Sequence, residues 1–377
     1  MLRLKPMQHL LSIQALRALA AIMVVFHHAQ NDAGRTAADL GAPFERFFAL
    51  PWAAGVDLFF VVSGFVMVFS SEKMFATPGG AGQFMSRRVA RIVPLYWLAT
   101  AIFVIAALRG AAAGKALPPS LGEILSSFAF LPWPRGIDGA PRPIHSLGWT
   151  LEYEMFFYLV FACFLWLPRA RAVAGVAAFL GALVLAHVAF QPQDVAIAYW
   201  SDPIVLEFAL GMGIALAYRS GLRLPGIAAL AIALPALAVL ASDPMHSAGE
   251  GFDALDPNGF LRLFCWGAPM AAIFAAIVLR EKQQQTNSAM RFAAAVGDAS
   301  YALYLFHPLA IIVLRKLWLV GHFDRFGFWP LVVASTLASV ALALAIYRWI
   351  EKPLTSLAQG WLVRRPSGDA ASATARP

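Results

Sequence analysis

Charge and cysteine are what this chain has least of. Of its 377 residues only 13% are charged, and two are cysteine, Cys163 and Cys265. A soluble globular domain carries about a quarter of its residues as Asp, Glu, Lys or Arg, so the scarcity of charge excludes that class. Both cysteines lie in apolar runs, which excludes a disulfide framework and a cysteine-ligated metal. The short alternating segments of a transmembrane β-barrel are missing, because the apolar runs are long and unbroken. There is no nucleotide-binding loop, no metal-ligand cluster and no internal repeat of the kind that marks many transporters. The expectation is therefore no metal and no bound cofactor.

What the chain does have is hydrophobicity: 60% of residues are apolar and the mean hydropathy is +0.68. Ten stretches are apolar enough to read as membrane spans, near 10–30, 51–71, 92–109, 147–167, 171–190, 203–219, 225–241, 262–280, 299–319 and 328–350. An even count puts both termini on one side. With the N-terminus inside, the inner segments collect most of the 29 lysines and arginines, while acidic residues dominate the outer loops at 191–202 and 242–261. That bias gives an N-in, C-in topology. It also makes the net charge of +8 a topology signal rather than a nucleic-acid-binding surface. Arg3 and Lys5 ahead of an apolar run resemble a signal peptide, but Arg17 interrupts the run and no cleavage site stands out, so the first span is expected to be retained. The fold class is all-α: a polytopic membrane protein of about ten transmembrane helices with no appended soluble domain. Residues 1–361 form the membrane domain, and 362–377 a small, polar, disordered cytoplasmic tail. Membrane lipids are its surroundings, and the expected location is a cell inner membrane.

Within this apolar background a few polar residues stand out. Arg17 and His28 share the stretch Leu10 to Ala29. Eleven residues is close to three helical turns, so both side chains fall on one face, about 16 Å apart along the axis. A helix-centre arginine costs roughly 2.5–3.5 kcal/mol on insertion scales, and such residues normally face a polar cavity. Asp57 lies about two turns into the second span, and Glu152 and Glu154 in the first two turns of the fourth. The two glutamates point about 200° apart on a helix, so they cannot form a dyad on one face. Arg87, Arg88 and Arg91 gather at the inner surface before the third span. Tyr301, Tyr304 and His307 form one stripe, read as a polar seam between helices, and His187 reads as structural. Ser63 and Gly64 read as a close-packing site.

Several segments together resemble the acyltransferase-3 family of membrane acyltransferases, in its exopolysaccharide-production branch. They are Ser12-Ile13-Gln14-Ala15-Leu16-Arg17 followed by His27-His28; Gly55 to Phe65; Arg87-Arg88-Val89-Ala90-Arg91-Ile92-Val93-Pro94-Leu95-Tyr96-Trp97; Trp149-Thr150-Leu151-Glu152-Tyr153-Glu154 to Tyr158; Gly297 to His307; and Tyr347 to Pro353. Each is weak alone; in order, at sensible spacing from end to end of the chain, they are specific. The resemblance implies transfer of an acyl group, usually acetyl from acetyl-CoA, to a hydroxyl of a surface polysaccharide, a lipid-linked glycan precursor or a small molecule.

Under that resemblance the polar residues take roles. His28 is the candidate general base, since imidazole titrates near neutral pH; a covalent acyl-histidine fits as well. Asp32 can orient it as an (i, i+4) carboxylate, and His27 stands beside it. Arg17 is placed to polarise the thioester carbonyl or hold the oxyanion. Glu154, sharing a face with Tyr158, is the inward glutamate, charged with the acceptor sugar or with the charge state of the histidine. Arg88, Arg91 and Arg87 suit the phosphates of cytosolic acyl-CoA, through the planar donor fork of arginine. Asp57, Tyr158 and Trp149 are the acceptor-binding candidates. Two rivals remain. A proton-coupled transporter or flippase would use the same intramembrane Arg, His and Glu as a relay, and a structural partner of a polysaccharide synthase would tolerate their replacement.

Overall fold

The computed structural model describes residues 6–136, 139–243, 259–280 and 287–363. Fifteen α-helices form there, with two isolated bridges, Pro134 to Pro141 and Leu224 to Arg280, and no strand among the described residues. In chain order they are α1 (Pro6–Asp39), α2 (Gly55–Ser70), α3 (Gly80–Ala112), the short α4 (Leu121–Ala129), α5 (Trp149–Phe164), α6 (Arg169–Phe190), the short α7 (Val195–Trp200), α8 (Leu206–Arg219), α9 (Gly226–Ser242) and α10 (Gly259–Arg262). Then follow α11 (Ala268–Val278), α12 (Ser288–Asp298), α13 (Ser300–Val320), α14 (Trp329–Ile346) and α15 (Lys352–Leu362). The chain is an all-α polytopic membrane protein.

Each of the ten expected spans coincides with a helical segment, but the segments are not alike. Seven are long and apolar enough to cross a membrane: Leu11–Asp39, Trp52–Ser70, Gly80–Ala112, Arg169–Phe190, Gly259–Val278, Ser300–Val320 and Trp329–Leu362. The other three are shorter: α9 has 17 residues, α5 16 and α8 14. The 3-10 turns Ser146–Gly148 and Pro203–Val205 lead into α5 and α8; with its turn α8 fills the apolar stretch, while α5 also stops at Phe164, short of residue 167. The helices α1 and α3, with 34 and 33 residues, run about 50 Å at 1.5 Å per residue, well beyond a hydrocarbon core of about 30 Å. Arg87, Arg88 and Arg91, expected at the inner surface before the third span, sit on the same continuous helix as that span. The expected disordered tail falls almost wholly at 364–377, outside the described residues.

Small residues set the helix crossings. A Cβ on Gly64 of α2 would meet the carbonyl oxygen of Phe208 at 2.1 Å, and one on Gly211 of α8 would meet that of Val61 at 2.0 Å. The two glycines thus let α2 and α8 touch backbone to backbone, the usual device where lipid gives no hydrophobic push between helices. Gly297 does the same against Gln14 of α1 and Gly55 against Ala20. Two helices are widened by π turns, Leu263–Gly267 between α10 and α11 and Tyr347–Glu351 between α14 and α15. Pro353, just past the second π turn, has no N–H to offer the carbonyl one turn back.

Candidate active site

The close α2–α8 contact leaves the opposite face of α2 to α1, α3, α5 and α13, and a cavity opens there. On α2 its wall runs from Val56 to Met67, about 16 Å of helix. Arg17, Arg88 and Arg91 line it with Ser63, Thr150, Glu154, Tyr158, Tyr301 and Tyr304 among apolar neighbours. Arg88 bonds Ser70 at the C-terminal end of α2, whereas Tyr304, bonded by Thr150, packs on Phe59 in its first half, so the arginine and the tyrosine mark opposite ends.

Glu154 is the hub of the middle. Its Oε1 accepts a hydrogen bond of 3.0 Å from Ser63 Oγ on α2 and another from the hydroxyl of Tyr158, one turn along α5. Glu152 is fully buried away from the cavity, so the inward glutamate is Glu154. Arg88 Nη2 donates to Ser70 Oγ at 2.9 Å, and its guanidinium lies over the rings of Phe84 and Tyr158, 5.4 and 5.9 Å from their centroids. That leaves the rest of its donor fork for the cavity. Arg87, in contrast, is exposed and lies outside the lining. Arg17 donates from Nη1 to Gln14 Oε1 at 2.9 Å and feels the charges of Arg91, Glu154 and Glu351. The buried Glu351 comes from the second π turn, more than 330 residues from Arg17 along the chain.

At the Tyr304 end the chemistry changes to imidazole. Tyr304 donates to the carbonyl of Leu147 at 3.1 Å and accepts from Thr150 at 2.9 Å. One turn along α13 stands His307, its ring centroid 6.4 Å from that of Tyr304 and 5.1 Å from that of His28. His28 and His27 do not themselves line the cavity. His28 is half-buried, and its Nδ1 bonds the carbonyl of Val24 at 2.9 Å. Asp32 does not orient it, contrary to the expectation from spacing. Asp32 Oδ1 takes a 2.6 Å ion-pair hydrogen bond from Arg315 of α13, and the backbone carbonyl one turn back serves His28 instead. His27 Nε2 pairs with Asn31 at 2.9 Å.

Asp57 and Trp149 are brought together around a third residue, Arg262, that the sequence pattern did not single out. Arg262 forks onto Asp57 with bonds of 3.0 and 2.8 Å, and its guanidinium lies 5.8 Å from the Trp149 ring. Neither residue lines the cavity, whereas Tyr158 does. The side chains missed as site residues are Ser63, Thr150, Tyr301, Tyr304, Glu351 and His307. The last four carried a readable signal, polar groups inside apolar helices; Ser63 and Thr150 carried none beyond their type. His145, buried and stacked on Phe103 at 4.2 Å, had no signal at all.

An acyltransferase-domain family model, Acyl_transf_3, matches residues 10–348. The chain is 34% identical over 302 residues to the exopolysaccharide production protein ExoZ of Rhizobium meliloti, covering 80% of this chain and 89% of that one. It is 28% identical over 365 residues to the acyltransferase MdmB of Streptomyces mycarofaciens, with 89% and 87% covered. It is also 26% identical over 403 residues to nodulation protein 10 of Rhizobium leguminosarum bv. viciae, with 95% and 97% covered. No solved structure matches the chain.

Proposed function

The chain belongs to the Acyl_transf_3 family and is a multi-pass membrane acyltransferase, and from that premise we propose that it moves an acyl group, acetyl first among them, from cytosolic acyl-CoA to a carbohydrate hydroxyl at the outer side of the inner membrane. The observation that carries this reading is the polarity of one cavity, with arginines at one end and a tyrosine leading to paired imidazoles at the other. A donor with phosphates at its head and a thin arm ending in a thioester fits such a slot. Arg88 and Arg91 take the phosphates, with Arg87 outside as part of the attracting field. Arg17, midway, faces the thioester carbonyl and stabilises the negative charge that develops on its oxygen.

The acceptor is exopolysaccharide or its lipid-linked precursor. Its hydroxyl oxygen attacks the thioester carbonyl carbon as a C–O bond forms and the C–S bond breaks. His28 Nε2 takes the hydroxyl proton, because its Nδ1 is committed to Val24, and the departing thiolate of CoA receives a proton in turn. Tyr158 and Glu154 line the path between the two halves of the reaction, and Asp57 and Trp149, gathered by Arg262, shape the acceptor side from behind.

The test is transfer of labelled acetyl from acetyl-CoA, by the purified full chain in proteoliposomes, to envelope glycan from cells lacking the gene. His28→Ala is expected to lower the rate about 10²–10⁴-fold, the usual contribution of a positioned base. Transfer unaffected by that change removes the assignment. Transport of glycan without acetyl transfer turns the reading to a flippase.

A further inference from the structure

His28 and His307 come from opposite ends of the chain and meet with ring centroids 5.1 Å apart and planes at 66°. Both use the same backbone device. His28 Nδ1 bonds the carbonyl of Val24 and His307 Nδ1 that of Leu303, at 2.9 and 3.0 Å, each four residues back in its helix. A carbonyl only accepts, so each Nδ1 carries the proton and each Nε2 presents a lone pair. His307 Nε2 is buried and has no hydrogen-bond partner among the described residues. A buried acceptor left unmade costs about 1–3 kcal/mol, and in a site beside a substrate cavity such a cost points to a ligand that supplies the donor.

Two lone-pair nitrogens cannot satisfy each other, and one hydroxyl has a single proton to give. The pair needs two donors a short distance apart. Hydroxyls on neighbouring carbons of a sugar ring are such donors. We propose that His307 is an acceptor-binding residue whose Nε2 takes a hydrogen bond from the hydroxyl next to the one that His28 deprotonates, so that the acceptor is a vicinal diol and His307 decides which of its two oxygens is acylated. This rests on the acyl-transfer reading above. His307 holds the neighbouring hydroxyl, that hydroxyl fixes the ring, and only one oxygen remains over His28. Tyr304, one turn away, has its single proton committed to Leu147 and closes the site on the donor side without offering that proton to the sugar.

The test uses the site of acetylation, which a merely structural role for His307 does not move. Cells lacking the gene are complemented with the wild-type chain or with His307→Phe, His307→Gln or His307→Asn. Polysaccharide O-acetyl content and position are read by NMR, alongside membrane levels of the protein and acetyl-CoA binding. The phenyl ring keeps the volume and removes the acceptor. The amide oxygen of Gln reaches about where Nε2 was, and that of Asn does not. With the phenyl variant, acetyl content is expected to fall several-fold, up to about tenfold for one neutral hydrogen bond, and the remaining acetyl to spread over two adjacent positions. The Gln variant keeps the single position, and acetyl-CoA binding is unchanged throughout. If the phenyl variant does not accumulate, the contrast between Gln and Asn decides. Unchanged content and position, or lower content at an unchanged single position, overturns the proposal. Equal acetylation with and without the gene instead overturns the acyl-transfer reading itself.

Discussion

Arg262 grips Asp57 with two hydrogen bonds of 3.0 and 2.8 Å across 205 residues of sequence, and Asp57 is wholly buried. Glu207 and Asp202 also act on the same guanidinium, so it holds α2, α8 and the widened helix α10–α11 together. Removing one partner of a buried pair leaves the other uncompensated, at a cost of about 3–5 kcal/mol. Arg262→Ala is expected to be worse than Asp57→Ala, because it leaves several acids facing one another. Thermal unfolding of the purified chain in detergent should show both losses. Arg262→Met combined with Asp57→Leu should recover only part of the stability, because it removes one of the facing acids and leaves Glu207 and Asp202.

The reciprocal glycines of α2 and α8 give a sharper test. At Gly211 and Gly64 the obstacle is backbone, at 2.0 and 2.1 Å, and backbone cannot rotate away. Gly211→Ala and Gly64→Ala are each expected to force the helices apart and to abolish accumulation of folded protein. Gly213→Ala, two residues on, meets nothing within 4 Å and should be silent. Fluorescence-detected size exclusion of tagged chains measures all three.

Much of this architecture was readable in advance because hydropathy is local: an apolar run long enough to span announces itself without reference to any partner. The same locality exposed Arg17, His28, Glu154 and the arginines of α3 as polar groups in costly surroundings. Partnership was not local. Arg262 belongs to Asp57, Arg315 to Asp32 and Glu351 to the Arg17 neighbourhood, and no spacing rule joins residues hundreds of positions apart. Asp32 shows how this misleads. Its four-residue separation from His28 suggested an orienting carboxylate, but a charge on α13 offered more than an imidazole on its own helix, and a carbonyl took its place. Hydropathy marks α5 and α8 as full spans because apolar sequence continues into their flanks, Pro203–Val205 ahead of α8 and Leu165-Trp166-Leu167 after α5.

Arg88 and Arg91 test the donor end. Hydrogen bonds to charged groups contribute about 1.5–3 kcal/mol each, so Arg88→Ala or Arg91→Ala is expected to weaken acetyl-CoA binding about 10–100-fold. Arg87→Ala, on an exposed side chain, should cost much less, and its smaller effect should vanish at high salt, where exposed charges are screened. Binding by isothermal calorimetry at two ionic strengths separates these outcomes. Equal affinity in all three variants removes the phosphate site from α3.

Glu154 distinguishes a positioning role from simple packing. Its Oε1 accepts from both Ser63 and Tyr158, so three side chains on two helices share one oxygen. Glu154→Gln keeps the shape and can keep an oxygen toward those donors, but it withdraws the negative charge that faces Arg17. If that charge sets how Arg17 meets the thioester carbonyl, the variant should fold normally and bind acetyl-CoA nearly as wild type, yet lose kcat about 10²–10³-fold, the range for a removed oxyanion donor. Ser63→Ala and Tyr158→Phe each remove one of two donors to a charged carboxylate and should cost about 1.5–3 kcal/mol of stability, with kcat falling far less than in Glu154→Gln because the charge stays. An equal, mild effect in all three variants would mean that Glu154 only ties α5 to α2. A large kcat loss confined to Glu154→Gln would mean that its charge belongs to the chemistry.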